Sequence, residues 1–362
     1  MKYRNASEIF FRTNCFGKYK NIPPVNWFIF RKRKRKKDGA PYPGPGYIMS
    51  SAMKRSGAGF MWKSRKCRNW PRSMGCRLRR CGKYYTDENY FYGDVFCRQG
   101  GEDMKWVFSE DSTPAVITAE KHVRSSHGSR DIRELPETCV IFELGIGLRF
   151  LKENFDTVIL CDRLPCFLDN PECIEVKGHP DVCFTKGGYG CPAAVDTLET
   201  VRALGVKRIL VVGMCGGFGK EIQVGDVVVP ESILCEEGTS HHYFETVEFV
   251  RPEEDFFNQV REYFQGKFHT VVNSTVTTDS FYRQTFAKEA YWREKGCVGV
   301  DMEASALLSV SRYYSMTAAA VLLCSDKHPL SETESGWKWG TEDFNRIREA
   351  YVRAAIMFAL GI

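Results

Sequence analysis

From about residue 105 the chain alternates between continuous apolar runs and stretches with helical spacing. Runs at 139–143, 157–161, 208–212, 226–229, 269–274 and 317–324 are apolar and rich in β-branched residues, which predicts strands. They are continuous rather than alternating, so the strands are expected to be covered on both faces, as in a central, largely parallel sheet. Between them, 193–204 carries Leu198, Val201 and Leu204 at helical spacing, and 304–313 carries Leu307 and Val310. Phe344, Ile347, Tyr351 and Phe358 mark one stripe of a long C-terminal helix. Strand and helix in alternation predict one α/β domain over 105–362, a mixed and largely parallel sheet flanked by helices.

The part before residue 105 has no such periodicity. Residues 31–37 read RKRKRKK, and Pro41, Pro43 and Pro45 with Gly44 and Gly46 break any regular element after them. Further basic residues at 65–80 are interleaved with Trp70 and Cys76. The net charge of +6 conceals this division. Residues 1–100 hold 24 Lys and Arg against 5 Asp and Glu, whereas 101–362 hold 27 against 40. Residues 1–104 are therefore expected to be a basic, disordered extension, with Met104 a candidate start of the folded part. The other reading of that segment is an arm for nucleic acid or an anionic surface, since Lys/Arg clusters displace counterions from phosphate polymers. No run reaches the roughly 18 apolar residues of a membrane span, and the apolar 25–30 is too short for a signal-peptide core. A cytoplasmic protein with no membrane association is expected. Ten of the fifteen cysteines lie in 101–362, many inside apolar runs (Cys139, Cys161, Cys215, Cys324), and read as reduced, packed thiols. The five earlier cysteines (Cys15, Cys67, Cys76, Cys81, Cys97) lack C-x-x-C spacing, and His241 and His242 have no evident third ligand, so no metal is implied.

Candidate chemistry concentrates just after the strands, where α/β folds place their sites. Three junctions are glycine-rich: GIGLR from Gly145 to Arg149, GGYGCP from Gly187 to Pro192, and GMCGG from Gly213 to Gly217. Glycines let backbone N–H groups approach an anion, although most such clusters are only tight turns. None matches the triphosphate-binding G-x-x-x-x-G-K-[ST] pattern. TTDSFY at Thr277 to Tyr282 crowds hydroxyls, a carboxylate and two aromatics, and VDMEA at Val300 to Ala304 sets two carboxylates around a methionine. Asp326 closes an apolar run, and a carboxylate there is costly unless paired or at work.

In this order the motifs GIGLR, GGYGCPAA, VGMCGGF with VGDVVVP, TTDSFY, and VDMEASAL followed by Ser325–Asp326 resemble those of the purine and uridine phosphorylases, the single-domain α/β type of the nucleoside phosphorylase superfamily. EEGTSHHY, at Glu236 to Tyr243, resembles a segment of the uridine-type members. The likeness covers roughly 110–362 and leaves the first hundred residues without a counterpart. It implies a pentosyltransferase that cleaves the N-glycosidic bond of uridine or purine nucleosides with phosphate, giving free base and ribose 1-phosphate. It further implies a homo-oligomer, with nucleoside and phosphate as small-molecule partners and no cofactor.

By the same resemblance, Glu303 accepts hydrogen bonds from the ribose 2′ and 3′ hydroxyls and Met302 packs on the sugar. The role of Asp301 beside them stays open. Phe281 stacks on the base, while Arg283 and Gln284 either read the base edge or face solvent. Asp326 matches the catalytic aspartate that protonates a purine, and the basic residue that supports it is replaced by Trp339 with Lys338 beside it. Gly145, Arg149 and Gly213 match the phosphate loops. However, Val211 and Met214 stand where an arginine and a serine or threonine are usual, with Arg163 a candidate replacement cation. A hydrolase of the same fold and a non-catalytic nucleoside-binding protein therefore remain alternatives.

Overall fold

The structure, a computed structural model, describes residues 54–56, 59–61, 106–107, 111–125, 134–334, 336–340 and 342–361. The basic segments at 31–37 and 65–80, the cysteines before residue 100 and Met104 lie outside the described residues. The chain divides into two compact units, Met1–Asp94 and Val95–Ile362. In the first, β1 (Lys54–Ser56) pairs antiparallel with β2 (Gly59–Met61).

The second unit begins with α1 (Ala119–Val123), β3 (Thr138–Phe142), α2 (Gly147–Asn154), β4 (Thr157–Cys161), β5 (Cys173–Val176) and β6 (Val182–Lys186). It continues through α3 (Cys191–Ala203), β7 (Arg208–Gly217), β8 (Val227–Glu236), β9 (Phe249–Val250), α4 (Glu254–Gln265) and β10 (Thr270–Thr278). The last elements are α5 (Phe286–Glu294), β11 (Cys297–Asp301), α6 (Ala304–Tyr313), β12 (Thr317–Lys327), β13 (Lys338–Trp339) and α7 (Glu342–Leu360).

One mixed sheet runs β13-β12-β8-β10-β11-β7-β3-β6-β5-β4, with β9 on β8. β12 also pairs along β7, so β7, β12, β8, β10 and β11 close on one another. The long contacts β12–β7, β8–β10, β3–β7 and β3–β6 are parallel, and the antiparallel pairs include the margins β4–β5, β5–β6 and β12–β13.

Successive side chains of a strand point to opposite faces. Here both faces are covered. Cys139, Ile141, Ile209, Val211, Ala318 and Ala320 enter one core with Leu198 and Val201 of α3 and Leu307 of α6. Val140, Phe142, Leu210, Val212, Ala319 and Val321 enter the other, with Phe150 of α2, Phe256 of α4 and Tyr351 of α7. Two-sided burial is why these strands read as unbroken apolar runs. The ten described cysteines are free thiols and nine of them are buried, packed as small apolar side chains. Among the described residues no helix is long and apolar enough to cross a membrane, and no group of three or more His, Cys, Asp or Glu is placed to hold a metal.

Candidate active site

β7, β10 and β12 extend past the apolar runs to Gly217, Thr278 and Lys327, so the polar residues at their ends lie within the sheet. Thr277 at the end of β10 donates from Oγ1 to Asp301 Oδ1 at 2.7 Å. Asp301 Oδ2 accepts the backbone N–H groups of Glu303 (2.9 Å) and Ala304 (2.6 Å) at the start of α6. This cap occupies Asp301 and leaves the adjacent Glu303 side chain for other work. Glu303 is buried, and its Oε1 accepts the N–H of Gly190 at 2.7 Å. Gly190 has φ +87°, a conformation that suits glycine, and precedes α3, whose N-terminus favours a negative charge. Burial, then the Asp301 charge, push Glu303 up to about 8, against the opposing N–H groups of Gly190 and Met302. The Met302 carbonyl accepts from Cys191 Sγ at 3.0 Å, tying this corner to α3.

Asp326, near the end of β12, is buried and surrounded by donors. Ser325 Oγ donates to Oδ1 at 2.5 Å, and Trp337 Nε1 donates to Oδ2 at 2.6 Å. His328 Nε2 lies 3.0 Å from the same Oδ2, and its Nδ1 lies 2.7 Å from Glu289 Oε1 on α5. Burial pushes Asp326 up, but His328, Ser325 and Trp337 outweigh it and hold the carboxyl below its ordinary range. Burial pushes His328 down, and its bonds to Asp326 and Glu289 reverse that and raise it to about 9. Trp339 lies opposite Asp326 in the β12–β13 ladder and packs edge-on to Trp337, 5.3 Å between centroids. The donor is thus Trp337 rather than Trp339 or Lys338, and the cationic partner is His328. Sequence reasoning missed His328, though it stands only two residues after Asp326.

Phe281 and Arg283 sit on an exposed single turn at Phe281–Arg283, with Gln284 half-buried after it. The rings of Phe281 and Tyr282 are 4.0 Å apart. No described contact joins these three residues to Glu303 or Asp326. Asp279 accepts the N–H of Gly238 at 2.9 Å and ties the end of β10 to the segment after β8, where Trp106 packs against His242.

Gly145 and Arg149 are exposed, Arg149 on the first turn of α2, and Gly213 lies within β7. Val211 is buried in one core and Met214 packs on the other, so neither contributes a polar group. Arg163 is exposed after β4 and donates to Asn170 Oδ1 at 3.1 Å. Sequence reasoning also missed Glu143, the residue directly after β3. It is buried, and neither carboxyl oxygen has a hydrogen-bond partner. Burial, then the charges of Glu303 and Asp301, push it well above the usual carboxylate range against Lys186.

A cavity of about 440 Å³ lies apart from these groups, lined by Ile117, His122, Phe167, Glu199, Tyr243 and Tyr314 among others. Its central acid is already engaged: Glu199 accepts from Tyr243 and Tyr314 and pairs with Arg202. The strand-end carboxylates are the stronger candidates for chemistry.

A family model described as Phosphorylase superfamily matches residues 171–359, which includes the Gly187, Gly213, Phe281, Glu303 and Asp326 segments but not Gly145 to Arg149. A guanosine phosphorylase of Halorubrum lacusprofundi is 29% identical over 169 residues, 45% of this chain and 69% of the relative. Among solved structures, a purine nucleoside phosphorylase of Toxoplasma gondii in complex with immucillin-H superposes with TM-score 0.54 at 17% identity, covering 69% of this chain and 98% of that one. A uridine phosphorylase of Vibrio fischeri ES114 gives TM-score 0.51 at 19% identity, covering 63% and 90%. At these identities the two superpositions establish the fold.

Proposed function

The chain belongs to the phosphorylase superfamily, and from that premise we propose that it cleaves the N-glycosidic bond of uridine or a purine nucleoside and passes the pentose to an oxygen nucleophile. One observation carries this reading: Glu303 is buried at a strand-to-helix junction, held by the Gly190 N–H, while Asp301 takes over the capping of α6. In its ionised form a carboxyl so fixed accepts the two ribose hydroxyls and opposes the positive charge that grows on the sugar as the bond breaks. Met302 packs on the ribose, and Phe281 offers an aromatic face to the base, whose edge Arg283 and Gln284 would read. Asp326 and the cationic His328 behind it would deliver a proton to a departing purine.

Phosphate as acceptor, giving ribose 1-phosphate, is supported by the names of the relatives and by Arg149, whose exposed guanidinium could meet an anion near Gly145 and Gly213. Water as acceptor is the second reading, and the apolar settings of Val211 and Met214 favour it. Release of uracil from uridine and hypoxanthine from inosine, with and without phosphate, is the test. Phosphorolysis requires phosphate and yields one ribose 1-phosphate per base. Equal release without phosphate establishes hydrolysis, and nucleoside binding with no release in either buffer overturns the enzymatic reading.

A further inference from the structure

Glu143 is 5% exposed, and both of its carboxyl oxygens are sealed from solvent without a hydrogen-bond partner. Buried polar groups are nearly always paired, so an orphan carboxyl calls for a reason. The fold makes room for this one. A Cβ on Gly187 would lie 1.7 Å from Glu143 Oε1 and 2.3 Å from its Cδ, so the carboxyl fills the space a side chain there would take. A Cβ on Gly213 would come 3.6 Å from the Glu143 Cβ. Two of the glycine clusters that suggest an anion cradle in the sequence thus flank a carboxyl side chain instead.

The charged and titratable groups around Glu143 are Glu303, Asp301, Lys186 and Tyr189. Two are carboxyls that disfavour a negative charge, and Lys186 opposes them. A phosphate dianion entering here would meet the same repulsion, with Val211 and Met214 offering nothing to offset it. A water molecule would not, and it would give the carboxyl the partner it lacks.

We propose that Glu143 is the general base of this site and that water is the pentosyl acceptor; the proposal rests on the reading that Glu303 holds a pentose. The loop 187–190 links the two carboxyls, with Gly187 against Glu143 and the Gly190 N–H on Glu303. Three of its four residues are glycine, so little side-chain bulk separates Glu143 from the corner that holds Glu303. Glu143 takes a proton from the water as the water oxygen bonds to C1′. The C1′–N bond breaks, and its electron pair leaves on the base nitrogen. The base takes up one proton and Glu143 returns its own to solvent, so nucleoside and water give free pentose and free base. General bases that act on water opposite a departing group serve inverting glycosidic cleavage in this way. Because the carboxylate is the active form and burial beside other carboxyls resists its ionisation, turnover should climb with pH above the ordinary carboxylate range.

The experiment follows base release from uridine and inosine in phosphate-free buffer for the wild type, Glu143→Gln and Glu143→Asp, with nucleoside Kd and thermal midpoint for each. The wild type is expected to turn over without phosphate. Glu143→Gln should lose about 100-fold or more in kcat, keep its Kd and midpoint, and leave only the rising limb that Glu303, raised to about 8, contributes. Wild-type turnover in Glu143→Gln, or wild-type activity that requires phosphate, overturns the proposal. Should Glu143→Gln misfold, Glu143→Asp decides: reduced kcat with a displaced pH limb supports the base, and an unchanged rate and profile overturns it. Glu303→Ala separates the two layers, because it weakens nucleoside binding whereas Glu143→Gln does not. A chain that binds no nucleoside overturns both.

Discussion

Glu143 and Asp326 stand at the ends of β3 and β12, the two strands that run parallel along either side of β7. They are buried to nearly the same degree, 5% and 6% exposed. Asp326 is saturated by Ser325, His328 and Trp337, and those donors keep it ionised. Glu143 has none, and burial beside two other carboxyls disfavours its charged form. Burial alone therefore does not mark chemistry. The partners decide, because a saturated carboxylate is held ionised and depends on a neighbour such as His328 for any proton it passes on, whereas an orphan one can exchange a proton itself. Glu303, held at Oε1 by the Gly190 N–H and raised to about 8, stands between the two.

The largest effect should come from breaking the saturated side. Asp326→Ala takes from the buried His328 one of its two carboxylate partners, and removing one partner of a buried charged pair costs about 3–5 kcal/mol. Denaturant unfolding should show that loss, while Glu143→Gln changes stability by less than about 1 kcal/mol because no partner is stranded. Equal losses would erase the distinction. The pH dependence has a definite sign. His328 is raised from 6.5 to about 9, so the stability it contributes is complete below 6.5 and disappears as pH rises through 9. In Asp326→Ala, with one of the two carboxylates gone, that alkaline loss should begin at lower pH. Activity adds a second readout: if Asp326 serves the leaving base, purine cleavage suffers more than uridine cleavage.

The next effect in size belongs to Glu303. On the proposed role, Glu303→Ala removes two hydrogen bonds to the sugar and should lower kcat/KM about 100-fold for uridine and inosine alike. The proposed contact is with the pentose, so the loss should not depend on the base. Near-normal turnover on either nucleoside would remove the sugar-binding role, and with it the reason for comparing Glu143 with its neighbour.

What the sequence disclosed followed burial. β3, β7, β10 and β12, buried on both faces, were legible as apolar runs, and α6 emerges at 304–313 as its leucine spacing predicts. β5 and β6 were not, because runs of four and five residues interrupted by Glu175 and by Thr185 and Lys186 carry little periodic signal. α4 was also missed, although Phe256, Val260 and Phe264 form its buried stripe. At the site, the motif segments drew attention to Glu303, Met302 and Asp326. The capping role of Asp301 depends on Thr277, a residue on another strand. Glu143 was hidden because it closes the run 139–143 and reads as a strand terminus. His328 was hidden because its partner Glu289 lies thirty-nine positions away.

The smallest predicted effect concerns Phe281, on the exposed turn after β10. Its ring is 48% exposed and meets only the more exposed Tyr282 in the described aromatic contacts. Little stability depends on it, so Phe281→Ala should leave the unfolding midpoint unchanged. Stacking on a base is worth about 1–3 kcal/mol, so the nucleoside KM should rise about 10-fold, with kcat less affected. Because every base offers a π-face, uridine and inosine should lose affinity together, unlike the expected split at Asp326. Tyr282→Ala serves as the neighbour control. A KM that responds to Tyr282 and not to Phe281 would move the stacking role by one residue and show that the turn presents its other face to the ligand.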